Sequence, residues 1–111
     1  MKTSTDILED VQEYYGKILK TKNDLQTSAC CVADSMPNYL RPYLKNIHEE
    51  VQSRFYGCAS TFPTGIRGQT VVDLGCGSGR DCYLLAQIVG PEGLVIGIDM
   101  TDEQLAVAKK H

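Results

Sequence analysis

The sequence predicts an α/β chain, in which a helical amino-terminal segment over residues 1–68 precedes the start of a parallel-sheet domain over residues 69–111. Three observations support this fold class. Apolar residues recur at helical spacing in the first half, two short apolar runs lie in the second half, and a glycine-rich turn follows the first of these runs. A strand, a glycine turn, a helix, a second strand and a second helix, in that order, are typical of a Rossmann-like fold.

The composition is that of an ordinary globular protein of at most one domain. The 111 residues are 42% hydrophobic and 23% charged, and the formal net charge is -3. Lysine and arginine are scattered among acidic residues, so no basic face is available to neutralise a nucleic-acid backbone. We therefore expect no nucleic-acid partner.

The chain also lacks the signs of a membrane or secreted protein. No apolar run approaches the roughly 18 to 20 residues that a membrane span requires. Residues 1–10 are polar and mixed in charge, unlike a secretory signal. The five cysteines are an odd number and include no CxxC pair, which does not suit a disulfide framework or a zinc ribbon. We expect a cytoplasmic protein with reduced thiols, some of them reactive, and no membrane partner.

The first helical pattern lies close to the amino terminus. Asp6 and Glu9 stand at the positions expected for the cap and the third residue, and the helix is expected to end near Lys20. Its apolar residues, at helical spacing, are Ile7, Val11, Tyr14, Tyr15, Ile18 and Leu19.

A loop and a second helical pattern follow. Residues 21–37 are polar, show no period and are predicted to form a loop that carries Cys30 and Cys31. The second helix is expected to begin within residues 37–42 and to end at Gly57. The residues that share its apolar face are Leu44, Ile47, Val51 and Phe55.

The second half contains the Rossmann-like unit. The predicted elements are a strand over 70–74, a tight turn over 75–79, a helix over 81–89 that ends at Gly90, a strand over 94–98 and a final helix that reaches His111. Thr101 is expected to cap the final helix, with Gln104 as its reciprocal partner in a capping box.

The turn over 75–79 and the acid after the second strand predict a ligand site. In a parallel strand-helix-strand unit, a ligand lies at the carboxyl ends of the strands, beside the free N–H groups of the helix amino terminus. Glycines suit this position because the backbone takes positive φ angles and a Cβ would strike the ligand. Asp99 can accept hydrogen bonds from ribose hydroxyls. A ribose-bearing cofactor is therefore expected, although an ordinary glycine-rich turn is the structural alternative.

The glycine spacing distinguishes between cofactor classes. A dinucleotide fold has the pattern GxGxxG, whereas Gly75 and Gly77 are followed here by Arg80 at the third-glycine position. A dinucleotide-dependent oxidoreductase is therefore disfavoured. The GxGxG spacing, with Asp73 two residues before the first glycine, resembles motif I of class I methyltransferases.

Several further segments resemble one branch of these enzymes. The segments are VQEYYGKILK, DLQTSAC, IHEEVQSRFYGC, DLGCGSGRDCYLL and GIDMTDEQLAVAKK. In order and spacing they resemble the opening portion of the arsenite methyltransferases, and the resemblance covers nearly the whole chain. It implies a partial class I methyltransferase fold, S-adenosylmethionine as cofactor, and methylation of trivalent arsenic (arsenite or methylarsonite) in arsenic detoxification.

The resemblance also implies roles for particular residues. Cys30 and Cys58 match the first two family cysteines, which makes them the expected catalytic thiolates and arsenic ligands. Soft trivalent arsenic favours thiolate donors, as soft metal centres do. The substrate would be arsenite or its thiol conjugates, with glutathione or thioredoxin as thiol reductant. The expected cofactor-binding residues are Tyr56, Asp73, Gly75, Cys76, Gly77, Gly79, Asp99 and Met100.

Each cysteine also has a structural alternative. Cys30 could be an exposed loop thiol, and Cys31 is expected to be one unless it replaces a missing thiolate. Cys58 could be a small apolar residue at a helix end. Cys76 is expected to be a compact spacer beside the cofactor unless it replaces a missing arsenic-binding thiolate. Cys82 is expected to be a core residue.

Tyr56 and His48 also have structural interpretations. Tyr56 could simply pack in the interior. His48 is followed by two glutamates, but a zincin helix requires a second histidine at position 52, where this sequence has Gln52. We therefore interpret His48 as part of a solvated helix face.

The sequence departs from the family in what it lacks. A class I methyltransferase has a sheet of seven strands, whereas only two strands are predicted here. The family also has two further conserved cysteines, and none of the five cysteines present corresponds to them. Strand one would then have an unpaired apolar edge. We expect a truncated form with little activity. The alternatives are a methyltransferase for another small molecule and a non-catalytic fragment that binds cofactor or arsenic.

Overall fold

The computed structural model describes residues 1–20, 36–56 and 62–111. Most of the predicted loop lies outside these residues, and so does the predicted end of the second helix at Gly57. The thiols of Cys30, Cys31 and Cys58 are outside them as well, so the roles expected for these cysteines stay predictions.

Helix α1, Ser4–Glu13, begins one turn earlier than its expected cap. The Thr3 side chain accepts a hydrogen bond from the Asp6 amide at 3.2 Å, and the Asp6 carboxylate accepts one from the Thr3 amide at 2.8 Å. The prediction of a cap at Asp6 with Glu9 as its partner was wrong, because Thr3 supplies the same reciprocal pair one turn upstream. A π-helical stretch, Tyr14–Ile18, extends the helix close to its expected end.

The second helical pattern is broken, so the prediction of one helix was wrong. A short 3₁₀ turn, Asn38–Leu40, leads into helix α2, Arg41–Leu44, and helix α3, Glu49–Ser53, follows after a gap. In the gap, the Gln52 side-chain amide donates to the carbonyls of Leu44 at 3.1 Å and Ile47 at 2.8 Å. This side chain satisfies backbone acceptors that a continuous helix would satisfy itself.

Of the expected apolar face, Ile47 and Val51 are buried, whereas Leu44 and Phe55 are only partly buried. The residues of the larger core cluster, drawn from this segment and from two later helices, are Met36, Leu40, Ile47, Val51, Leu84 and Val107. A smaller cluster joins Ile66 to Leu85 and Val89 beneath the sheet. Helical spacing therefore identified two of the buried positions, Ile47 and Val51, even though the backbone departs from a single helix.

Strands β1, Thr70–Leu74, and β2, Leu94–Ile98, have the bounds that the sequence predicts. They pair in parallel, from Thr70 opposite Leu94 to Leu74 opposite Ile98. Helix α4, Arg80–Val89, connects them and ends at Gly90, whose φ of 74° suits the left-handed region. The fold class is confirmed: two parallel strands with flanking helices, preceded by helices.

Helix α5, Asp102–Lys110, follows β2. Thr101 occupies the N-cap position but its side chain accepts no cap hydrogen bond, so the predicted Thr101–Gln104 capping box was wrong. The Asp99 carboxylate instead accepts a hydrogen bond from the Thr101 amide at 2.8 Å. Asp99 therefore replaces Gln104 as the acceptor for the amide of the N-cap residue.

Helix α4 packs on one face of the sheet, and the opposite face is exposed among the described residues. Leu74 has 77% of its surface accessible, and Val72 has 51%. The other exposed apolar residues of this face lie on β2 and are Leu94, Ile96 and Ile98. No helix in the described ranges is both long enough and apolar enough to cross a bilayer.

Candidate functional site

The glycine turn connects β1 to α4 and is fixed to the end of β2. The amides of Gly75 and Cys76 both donate to the Ile98 carbonyl, at 2.7 and 3.0 Å. Gly75 and Gly77 have φ angles of 76° and 55°, which confirms the expected positive values. No described atom lies within 4 Å of a Cβ built at either residue, so the backbone conformation, and not crowding by the protein, requires glycine there.

Asp99 connects the turn to α5. One carboxylate oxygen accepts a hydrogen bond from the Gly77 amide at 2.9 Å, and the other accepts one from the Thr101 amide at 2.8 Å. Each carboxylate oxygen has two lone pairs, so the group retains capacity for hydroxyl donors from a ligand. The acid that the sequence singled out thus lies directly against the glycine turn.

A cavity of about 520 Å³ opens over the turn. This volume lies within the range of about 300 to 1,000 Å³ that is usual for small-molecule sites. Six of the eight residues expected to bind the cofactor line it: Tyr56, Gly75, Cys76, Gly77, Asp99 and Met100.

The other two expected residues do not line this cavity. Asp73 is half-buried, and its carboxylate accepts a hydrogen bond from the Cys82 thiol at 3.4 Å. Burial raises the pKa of Asp73, and the charges of Asp81 and Asp99 add to that rise, while the bond from Cys82 opposes it. Gly79 precedes α4, where a Cβ would lie 3.1 Å from the Ala108 side chain, so this glycine permits close packing of α4 on α5.

The structure adds cavity residues that the sequence did not assign to the cofactor site. They come from α1, from the turn and from the start of α5, and include Val11, Tyr15, Ser78, Thr101 and Gln104. Gln104 is only 2% exposed, and its side-chain oxygen has no hydrogen-bond partner among the described residues. Its only sequence signal was the position three residues after Thr101, which suggested a capping role.

Two contacts hold α3 and the residues after it against the turn and the start of α4. The Ser78 hydroxyl is buried and donates to the Val51 carbonyl at 2.8 Å. The Arg80 guanidinium lies 3.2 Å from the centre of the Phe55 ring and pairs with Asp81 at 2.9 Å. Arg80, whose position in the sequence only argued against a dinucleotide fold, thus joins the segment after α3 to the start of α4, next to the glycine turn.

A second polar cluster lies at the surface, away from the cavity. The His48 and His111 rings stack with centres 3.7 Å apart, and Glu50 accepts hydrogen bonds from His111 at 2.6 Å and Lys110 at 2.8 Å. The His111 hydrogen bond, followed by that of Lys110, lowers the pKa of Glu50 to about 2. His48 also accepts a bond from the Glu50 amide, which makes it the N-cap of α3.

Comparison with known proteins supports the family resemblance. Residues 67–111, which hold the sheet, the turn, α4 and α5, match the family described as methyltransferase domain. An arsenite methyltransferase from Aquipseudomonas alcaligenes is 58% identical over 103 residues, which are 93% of this chain and 30% of that protein. The arsenite methyltransferase of Homo sapiens is 50% identical over 107 residues, which are 96% of this chain and 28% of that protein. Over nearly its whole length, the chain is similar to arsenite methyltransferases.

A solved structure is similar to the chain as well. It is the crystal structure of an arsenic(III) S-adenosylmethionine methyltransferase from Chlamydomonas reinhardtii, which matches with a TM-score of 0.65 and 48% identity. The match covers 68% of this chain and 25% of that protein. The chain spans less than a third of the length of the arsenite methyltransferases that it matches.

Proposed function

We propose that this chain forms part of an S-adenosylmethionine-dependent enzyme that methylates trivalent arsenic. The observation that carries the proposal is the cavity over the glycine turn, where Asp99 lies against Gly77. The chain that holds this cavity is similar to arsenite methyltransferases. Sequence identity supports the substrate class, since the similar proteins are named for arsenite.

The residues present fit S-adenosylmethionine. Asp99 offers a carboxylate for ribose hydroxyls, and the side-chain oxygen of Gln104 is buried at the cavity without a described partner. Leu74, Ile98 and Met100 supply apolar surface that suits a purine ring. When bound, S-adenosylmethionine supplies an electrophilic methyl group on a sulfonium. The carboxylates of Asp73 and Asp99 give this part of the chain a negative potential, which favours a cationic ligand.

The arsenic substrate would be held by Cys30 and Cys58. Thiolates suit trivalent arsenic because both partners are soft, and electron donation from sulfur increases the nucleophilicity of the arsenic lone pair. Cys58 is two residues after Tyr56, a cavity residue, so the sequence keeps this thiol close to the cofactor site along the chain. Arsenite or its thiol conjugates, with glutathione or thioredoxin as reductant, would be the partners in the cytoplasm, and the outcome would be arsenic detoxification.

We expect the 111-residue chain alone to bind S-adenosylmethionine but to transfer methyl groups slowly. The exposed apolar face of β1 and β2 leaves the sheet short of packing partners within the described residues. A poorly supported sheet lowers the precision with which a nucleophile and a methyl group are aligned, and that alignment is worth about 7 to 11 kcal/mol.

Titration calorimetry tests the cofactor site. Asp99→Asn should weaken binding of S-adenosylmethionine by about tenfold or more, because a charge-assisted hydrogen bond is lost. Glu92→Gln, an exposed acid in the turn before β2, is the matched control and should bind as the unaltered chain does. Equal affinity for Asp99→Asn and the unaltered chain would contradict the site.

A second experiment tests the substrate. Cys58→Ser should abolish retention of arsenite by the chain while leaving the affinity for S-adenosylmethionine unchanged. If arsenite binding survives in this variant, another small-molecule acceptor becomes the better proposal. Methyl transfer itself is measured with arsenite, a thiol and radiolabelled cofactor, and rapid turnover by the 111-residue chain would disprove the expectation of low activity.

A further inference from the structure

Two thiols that belong to different elements meet beneath the glycine turn. Cys76 lies within the turn, and Cys82 lies in the first turn of α4. A Cβ built on Gly97 of β2 would lie 2.8 Å from the Cys82 sulfur and 2.9 Å from the Cys76 sulfur. Both sulfurs therefore occupy the space that a side chain at position 97 would fill, which brings them close together.

The surroundings of this pair are acidic. Asp73 on β1 accepts a hydrogen bond from the Cys82 thiol, and Asp99 after β2 acts on Cys76. Burial, followed by the charges of Asp99 and Asp73, raises the pKa of Cys76. Burial, followed by the charge of Asp73, raises the pKa of Cys82 as well. Both groups are neutral thiols near pH 7, which makes exchange slow because it proceeds through a thiolate.

We propose that Cys76 and Cys82 form an oxidisable thiol pair, which closes to an intramolecular disulfide by exchange with a low-molecular-weight disulfide such as oxidised glutathione. The thiolate of one cysteine attacks the added disulfide and releases one small thiol, leaving a mixed disulfide on the protein. The second cysteine then displaces the other small thiol. The two protein thiols lose two electrons and two protons in total, and one small disulfide becomes two small thiols.

The disulfide would act on the cofactor cavity, an effect that rests on the proposed function. Cys76 lines the cavity, and its amide and that of Gly75 hold the turn on Ile98. Bonding Cys76 to Cys82 of α4 requires the two sulfurs to move to covalent distance. That movement displaces the turn and weakens the alignment between Gly77 and Asp99, so oxidation should lower cofactor affinity.

The pH dependence has a definite sign. Exchange proceeds through a thiolate, and the acids that face the pair are Asp73 and Asp99, with Asp81 acting on Asp73. Because both thiol pKa values are raised, disulfide formation should be slow at pH 7 and accelerate by about tenfold per pH unit as the solution becomes more alkaline.

The experiment uses the 111-residue chain with Cys30, Cys31 and Cys58 changed to Ser, treated with oxidised glutathione at pH 7 to 9. Trypsin cleaves at Arg80, between the two remaining cysteines. The disulfide should therefore join peptides 68–80 and 81–109 in a non-reducing mass spectrum, and dithiothreitol should separate them. Cys76→Ser and Cys82→Ser, each in this background, should give only a glutathione adduct on the remaining thiol.

Calorimetry with S-adenosylmethionine completes the test. The oxidised protein should bind about tenfold more weakly than the reduced protein, with recovery after dithiothreitol. Glutathione adducts without a joined peptide would overturn the thiol pair. A joined peptide with unchanged affinity would overturn its effect on the cavity. If the reduced protein bound no cofactor while the peptides still joined, the proposed function would fail and the thiol pair would stand.

Discussion

The Asp99 carboxylate accepts a hydrogen bond from the Gly77 amide at 2.9 Å, across 22 positions of sequence. This bond joins the carboxyl ends of the two parallel strands, because Gly77 belongs to the turn after β1 and Asp99 follows β2. The other oxygen of the same carboxylate accepts a hydrogen bond from the amide of Thr101, the N-cap residue of α5. One side chain therefore fixes the turn, the end of β2 and the start of α5 around a single cavity.

Gly77→Ala should damage both stability and cofactor binding. The residue has a φ of 55°, and a left-handed conformation costs an alanine roughly 1 to 2 kcal/mol. Gly65→Ala is the matched control, because Gly65 has a φ of 71°, open space around its Cβ position and no place in the cavity lining. Thermal unfolding should show similar losses for both variants, and calorimetry should show lost affinity for Gly77→Ala alone. Equal affinities in the two variants would argue against the turn as the cofactor site.

The contact between Arg80 and Phe55 should contribute measurable stability. The Arg80 side chain is only 13% exposed, and its guanidinium lies over the ring at 3.2 Å, where a cation–π contact is worth about 1 to 2 kcal/mol. Arg80→Met and Phe55→Leu should each lower the free energy of unfolding in urea. The double variant should lose less than the sum of the two, whereas an additive result would mean that the contact contributes nothing. Phe55→Tyr, which keeps a ring, should retain most of the stability.

Gly97→Ala should destabilise the chain through the thiol pair. Its new Cβ would lie under 3 Å from the sulfurs of Cys76 and Cys82, and overpacking of this kind costs about 1 to 3 kcal/mol. Adding Cys82→Ala removes one of the two sulfurs and should recover part of the loss in urea unfolding. Failure of this second change to recover any stability would show that the two sulfurs do not converge at position 97.

The stability of the chain should fall at low pH, because Glu50 becomes protonated there. The pKa of Glu50 is lowered from 4.5 to about 2 in the folded chain, chiefly by the His111 hydrogen bond and then by Lys110. A carboxyl with a lowered folded pKa contributes stability above its unfolded pKa, and the contribution disappears as the pH falls through the folded value. The difference in melting temperature between the unaltered chain and Glu50→Gln should therefore be constant above about pH 5 and shrink towards pH 2. A difference that does not change over this window would refute the ion pair as its source.

The parallel unit could be predicted closely because its signals are local. The bounds of β1 and β2 follow from two short apolar runs between glycine-rich turns, and α4 ends at Gly90, as expected for a residue free to adopt positive φ. The amino-terminal helices were predicted less well. The cap at Thr3 competes with an equally plausible acid one turn later, and the break before α3 depends on Gln52 reaching the Leu44 carbonyl. Side-chain reach of this kind depends on tertiary packing, which local spacing does not encode.

Taken alone, the sequence determined the fold class, the glycine turn, the acid opposite it and the family resemblance, because spacing, φ preference and residue order are properties of the chain itself. Only the tertiary structure decided which side chains share one space: that Asp99 binds Gly77, that Gln104 faces the cavity, and that Cys76 meets Cys82. Those relationships join positions on different elements. Their distances are set by how the helices pack on the sheet, and no periodicity within one element contains that information.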